Sequence, residues 1–220
     1  EKNAIVSLHF YDLNTDKTAT VPLSTSYNDF YIPRIKWTND ANVLSAQYMN
    51  RHQNKLDLWL INPETEDANL VLSETDDAYV DVTDNLTFLE DNSFLWTSER
   101  DGFNHLYHYS KTGQLKKQIT KGAWEVTAYY GYNESENAIY YQSVENGSIN
   151  RDVYSVRLNG KRKMRLSSQV GTNDASFSAD FTYFIKTFSS ANIPTKYTLH
   201  DSKTGRLVRN IKDNSALKNT

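Results

Sequence analysis

The chain has no cysteine, which excludes disulfide frameworks and thiolate metal sites. Proline and glycine are scarce, at 4 and 8 of 220 residues, and no Pro-, Gly- or Ser-rich linker or low-complexity tract divides the chain. No apolar run reaches the roughly 18 residues that a membrane-spanning helix needs, and no basic-then-apolar leader stands at the start, so no membrane span is expected. Charge of one sign is also lacking: 24 Lys and Arg stand against 27 Asp and Glu, a formal net charge of −3. Such a balance offers no field to draw nucleic acid or anionic lipid, and no nucleic-acid partner is expected.

What is present in quantity is aromatic. There are 15 Tyr, 9 Phe and 4 Trp, 13 % of the chain, set among 22 Asn at a mean hydropathy of −0.68. Bulky rings alternating with polar residues suit half-buried strands joined by polar turns. One short pattern returns five times: an alternating apolar run that ends at Asn14, Asn62, Ser110, Asn159 or Asp201. The turn residues are 48, 48, 49 and 42 positions apart, and a fixed period of this size marks a repeat architecture.

Four short strands fit within each period. In one, Asn85–Glu90, Ser93–Ser98, His105–Tyr109 and Leu115–Ile119 are separated by turns at Asp91-Asn92, Arg100-Asp101-Gly102 and Lys111-Thr112-Gly113. Four antiparallel strands per 40 to 50 residues is the pattern of a β-propeller blade, and helical periodicity is nearly absent. The expected fold is all-β, a partial propeller of about four and a half blades: a half-blade at 1–24 and blades at about 31–74, 85–120, 126–167 and 175–212. Arg100-Asp101-Gly102 is expected to form a tight hairpin with Gly102 at positive φ, a conformation that only glycine takes without a side-chain penalty.

The stretches Trp96-Thr-Ser-Glu-Arg-Asp-Gly-Phe-Asn-His-Leu-Tyr107 and Gln118-Ile-Thr-Lys-Gly-Ala-Trp-Glu-Val126 carry a resemblance. So do Tyr31-Ile-Pro-Arg-Ile-Lys-Trp37, Met49-Asn-Arg-His-Gln-Asn54, Glu90-Asp-Asn-Ser-Phe94 and the ending Asp213-Asn-Ser-Ala-Leu217. Together they resemble the propeller of the dipeptidyl peptidase IV branch of the prolyl oligopeptidase family. The resemblance implies that the chain is the C-terminal half of a propeller within a longer serine exopeptidase that releases N-terminal Xaa-Pro dipeptides. It further implies peptide substrates, a covalently linked hydrolase domain and a periplasmic or extracellular location.

The chemistry of such an enzyme is not carried here. A hydrolase of this type needs G-x-S-x-G, and Gly147-Ser148 lacks the second glycine. The paired glutamates with which the family holds a substrate's α-amine belong to sequence before this chain. No catalytic residue, cofactor or metal is therefore expected. In the family the connection corresponding to Ser73–Val82 lines the extended side of the substrate pocket, which makes Tyr79, Val80 and Asp81 the substrate-pocket candidates. Relatives can carry an aromatic flanked by arginines there, and this chain departs from that pattern.

Other features read as structural. Asp76-Asp77 and Glu90-Asp91 are turn acids whose neighbours point to opposite faces. His105 and His108 are three apart on a strand, face opposite sides and cannot share a metal unless the strand ends between them. Trp124 and Glu125 fit blade packing, and Lys161-Arg-Lys-Met-Arg165 fits a charged outer strand that resists edge pairing. N-x-[ST] acceptors stand at Asn85, Asn133 and Asn146. Exposed faces around Val6, Leu8 and Phe10 and around Phe181, Tyr183, Phe184 and Tyr197 are expected to drive self-association or closure into a smaller ring. Two other functions fit a propeller: a stand-alone protein-binding module, and a glycosidase with two carboxylates at the ring mouth.

Overall fold

The computed structural model describes residues 4–20 and 29–219, so that residues 1–3 and 21–24 of the expected half-blade lie outside the described residues. Among the described residues eighteen strands make four four-stranded sheets and one two-stranded sheet, and the only helical element is a 3₁₀ turn at Ser215–Asn219. The two-stranded sheet joins β1 (His9–Asp12) and β2 (Lys17–Thr20). The first four-stranded sheet holds β3 (Phe30–Trp37), β4 (Leu44–Asn50), β5 (Lys55–Asn62) and β6 (Asp67–Thr75). The second holds β7 (Thr87–Phe88), β8 (Phe94–Ser98), β9 (His105–Tyr109) and β10 (Leu115–Gln118). The third holds β11 (Val126–Asn133), β12 (Ala138–Ser143), β13 (Asp152–Arg157) and β14 (Met164–Arg165). The fourth holds β15 (Thr172–Phe177), β16 (Tyr183–Ser190), β17 (Ile193–Asp201) and β18 (Leu207–Lys212). In every sheet the strands lie in chain order, the meander of a propeller blade.

Short polar side chains that accept backbone N–H groups build the recurring turn. Asn62 Oδ1 accepts from Glu64 and Thr65, Ser110 Oγ from Thr112 and Gln114, Asn159 Oδ1 from Lys161, and Asp201 Oδ1 from Thr204. This local mimicry of a backbone turn is why the repeat is visible in sequence. The first repeat is shifted: the acceptor is Asp12, which takes the N–H of Asn14 at 2.7 Å, so Asn14 follows the capping residue. In β3 the register slips between Tyr31 and Arg34, around Ile32-Pro33. Proline has no N–H for the ladder, and a bulge lets the strand continue past it.

The chain forms two compact units, residues 1–95 with 109–116 and residues 96–108 with 117–220. One core cluster of the first unit is Ala46, Tyr48, Trp59 and Ile61, with Leu8, Phe10, Phe30, Ile32 and Ala68 packed on it. Leu8 and Phe10 are thus partly buried rather than open to solvent as the sequence led us to expect, because they pack against this cluster of β4 and β5.

In the second unit Ala138, Tyr140, Val153, Leu166 and Phe184 form the core between the third and fourth sheets. Rings fill it: Tyr140 stacks on Phe181 at 5.3 Å and 7°, and Phe177 meets Tyr140 at 4.6 Å and Phe184 at 5.1 Å. A second expectation is corrected here. Phe184 is 1 % exposed and Phe181 lies on Tyr140, so neither shares the open face of Tyr183 and Tyr197. Successive strand residues point to opposite sides, which separates Phe184 from Tyr183. The buried Asp152 carboxylate is paired: it accepts from Arg165 at 2.8 Å, Ser167 at 2.7 Å and Asn146 at 3.0 Å.

Candidate functional site

The candidate loop, Ser73–Val82, leaves β6 and is tied by its backbone to the β4–β5 hairpin. Asp76 N–H donates to the Asn54 carbonyl at 3.0 Å and Val80 N–H to the Gln53 carbonyl at 2.8 Å. Asp76 then folds the loop on itself by accepting Ala78 N–H at 2.7 Å and Tyr79 N–H at 3.2 Å. Those two bonds hold its carboxyl below the usual carboxylate range. As a result the Tyr79 ring stands half-exposed, Asp81 is exposed and Val80 is half-buried. Asp76 of the Asp76-Asp77 pair, read from the sequence as turn acids, therefore organises the loop. The signal was legible: an Asp two and three residues before the N–H groups it caps.

The supporting hairpin is itself pinned. Asn50 Oδ1 accepts the N–H groups of Asn54 and Lys55, both at 3.1 Å, and Gln53 sits at φ +58. The Arg51 guanidinium lies 5.0 Å over the Tyr31 ring and donates to its hydroxyl. The loop candidates and the stretch Met49–Asn54, unrelated in sequence reasoning, thus meet through two backbone bonds. Beyond the loop, Arg34 pairs with Asp84, Lys36 Nζ donates to the Leu86 carbonyl at 2.7 Å, and Gln47 Nε2 donates to the Thr83 carbonyl at 3.2 Å. A rigid loop that offers an aromatic ring and a carboxylate to solvent can bind an extended chain.

In the second unit, Gly102 N–H donates to the Glu99 carbonyl at 2.8 Å, closing a four-residue turn through Arg100 and Asp101 with Gly102 at φ +92. Arg100 Nε donates to Ser98 Oγ at 2.9 Å and its guanidinium lies 4.9 Å from the Tyr107 ring centre, while Asp101 accepts from Gln118 at 2.5 Å. The triplet is a hairpin scaffold.

The remaining candidates are occupied by local bonds. Both ring nitrogens of buried His105 are engaged, Nδ1 with Thr120 Oγ1 at 3.0 Å and Nε2 with the Gly122 carbonyl at 3.1 Å. Among the described residues no group of three or more His, Asp or Glu is placed to hold a metal. Asn133 is buried, its Oδ1 accepting from Ser135 and Glu136, and Asn146 donates to Asp152 and Tyr154. In the basic cluster Lys163 pairs with Glu145 and Arg165 with Asp152, and only Met164 and Arg165 are in a strand. One contact escaped sequence reasoning: on the first strand His9 bonds Ser7 Oγ at 2.7 Å and Thr20 Oγ1 at 2.8 Å. Both partners are neutral hydroxyls, which do not stabilise an imidazolium as a carboxylate does.

Comparison with known proteins places the fold. Residues 1–195 match the profile described as the dipeptidyl peptidase IV (DPP IV) N-terminal region. Dipeptidyl peptidase 4 of Trichophyton equinum is 27 % identical over 98 % of this chain and 29 % of its own length. A probable dipeptidyl-aminopeptidase B of Phaeosphaeria nodorum is 27 % identical over 98 % of this chain and 26 % of its own. The crystal structure of Porphyromonas gingivalis dipeptidyl peptidase 4 superposes with a TM-score of 0.91 at 39 % identity, over 99 % of this chain and 31 % of that one. A putative dipeptidyl aminopeptidase IV from Bacteroides ovatus gives 0.75 at 25 % identity over 92 % of this chain and 32 % of its own. The chain therefore spans under a third of each of these relatives. Four-stranded repeats and a match over most of the length agree: the chain belongs to the dipeptidyl peptidase IV N-terminal region family.

Proposed function

We propose that this chain is the non-catalytic, substrate-gating part of a serine exopeptidase that releases N-terminal Xaa-Pro dipeptides, its hydrolase domain lying elsewhere in a longer chain. Peptides are the ligand and Tyr79, Val80 and Asp81 the contact residues, in a periplasmic or extracellular protein. The supporting observation is the loop at 73–82, held by backbone bonds to Asn54 and Gln53 while an aromatic ring and a carboxylate face solvent. Preorganisation of this kind lowers the ordering cost of binding a flexible peptide.

Two assays test the reading. The isolated chain should not release p-nitroaniline from glycyl-prolyl-p-nitroanilide, since it offers no activated nucleophile; turnover abolished by a serine-directed inhibitor would overturn that. In the full-length protein, Tyr79→Ala should raise KM about threefold or more for peptides of five or more residues while leaving the dipeptidyl anilide nearly unchanged. Equal effects on both substrates would remove the loop from the substrate path.

A further inference from the structure

The second unit encloses an ammonium group in a box that the repeat pattern does not require. Lys163 Nζ lies 5.6 Å from the ring centre of Trp124 and 5.8 Å from that of Tyr154, and donates to Glu145 Oε1 at 2.5 Å. Two ring faces present negative quadrupole to the cation and the carboxylate supplies the countercharge. These three residues come from the segment before β11, from β13 and from the β12–β13 connection.

The walls are fixed without help from the occupant. Trp124 is held edge-on by the His105 ring at 4.9 Å and 89°, and His105 is buried and bonded at both nitrogens. Because the Gly122 carbonyl can only accept, the His105 Nε2 carries the proton and Nδ1 takes the Thr120 hydroxyl. Tyr154 is 4 % exposed, stacks on Tyr141 at 5.5 Å and 18°, and its hydroxyl accepts from Asn146 at 2.6 Å.

The occupant is less secured than its box. Lys163 sits in the connection between β13 and β14, its side chain 41 % exposed. Arg162 before it has φ +54, a left-handed conformation unfavourable for a residue with a Cβ. Glu145 Oε2 is buried and has no hydrogen-bond partner among the described residues, so the lysine satisfies one carboxylate oxygen of two. A free primary ammonium, not tethered to this connection, has three N–H donors with which to reach both.

We propose that Trp124, Tyr154 and Glu145 form a binding site for a primary alkylammonium group, which the chain's own Lys163 occupies until a ligand displaces it. The ligand class is a lysine-like ammonium rather than an anion, which the carboxylate repels, or a quaternary amine, which cannot donate to the orphaned oxygen. The site stands apart from the peptidase reading and needs no hydrolysis to be observed.

The test is titration of the folded chain with n-butylammonium chloride, following the indole N–H resonance assigned to Trp124 by its loss in Trp124→Leu. Lys163→Met should bind saturably in the millimolar range, and at least tenfold more tightly than the parent chain, in which the tethered lysine competes. Lys163→Gln serves as a second opening variant, and adding Glu145→Gln to either should weaken binding tenfold or more. Tetramethylammonium should bind more weakly than n-butylammonium. Three results would overturn the proposal: no saturable shift in either opened variant up to about 100 mM ligand, the same shift from potassium chloride at equal ionic strength, or binding indifferent to Glu145→Gln.

Discussion

The third and fourth sheets share one topology and lie in one unit, yet bury their strands differently. In the third, every residue of β12 is buried, and so is all of β13 up to Arg157. In the fourth, β16 alternates, with Phe184, Lys186 and Phe188 buried and Tyr183 and Ile185 exposed, and β18 is exposed at every position. Composition does not explain this, since Tyr183, Ile185 and Tyr197 are as apolar as the residues of β12. The difference lies in whether a sheet has covering neighbours on both sides, and it teaches that alternation is a property of packing before it is one of sequence.

The comparison breaks most sharply at Tyr140. It is 2 % exposed and touches Phe177 and Phe181, so Tyr140→Ala should cost about 3 to 5 kcal/mol in denaturant unfolding, the range for large aromatic truncations. Tyr197→Ala, on the open face, should cost less than about 1 kcal/mol; equal costs would mean that face is covered in solution.

Next come the glycines. A Cβ on Gly131, at φ +136 in the bulged β11, would stand 2.6 Å from the Phe181 ring, so Gly131→Ala has to displace a core aromatic. A Cβ on Gly102 meets nothing within 4 Å, and only the backbone penalty at φ +92 remains. Thermal unfolding should show about 2 to 3 kcal/mol for the first and about 1 kcal/mol for the second. The larger side chain of Gly102→Val should bring about 1 to 3 kcal/mol.

The buried face of the fourth sheet also carries two titratable groups that burial keeps towards neutrality. His200 is lowered by desolvation first and by the nearby Lys186 charge, against a bond to the Gly205 carbonyl that favours the protonated ring. Its unfolded form gains a proton first as pH falls through about 6.5, so stability should decline from there down to the lower folded value, and His200→Gln should flatten that limb. Lys186 is lowered by desolvation, with Gln169 Oε1 at 3.1 Å as its partner. A depressed lysine binds its proton less in the folded state, so stability rises with pH between the folded value and about 10.4. Lys186→Met should remove that rise and be neutral to stabilising by about 1 kcal/mol at pH 7.

The smallest effect on stability is expected where the association effect is largest. Ile185→Asp on the open face should change folding stability by under about 0.5 kcal/mol. If that face drives self-association, light scattering after size exclusion should find the parent chain associated and the variant monomeric. A monomeric parent chain would count against association through this face.

Part of the site was legible for the same reason that the repeat was. Asn62, Ser110, Asn159 and Asp201 cap their own turns, a chemistry complete within five residues, and Asp76 does the same for the loop of Tyr79. The attachment of that loop to Gln53 and Asn54 was not legible, because it runs between backbone groups more than twenty residues apart and leaves no mark on side-chain type. Arg51 over Tyr31 was equally hidden, since a cation meeting a ring is ordinary at many spacings.

Period-two alternation, polar turns and the quoted stretches determined, from sequence alone, an all-β chain of four-stranded repeats and its family. These are local properties: strand, turn and cap are each decided by residues that are neighbours along the chain. Only the tertiary structure decided which strands are buried on both faces, that Phe184 and Tyr183 part company, that Lys186 is buried beside Gln169, and that Trp124, Glu145, Tyr154 and Lys163 meet around one ammonium. Each depends on which sheet face lies against which, and a single sheet's sequence encodes its own two faces but not what will cover them.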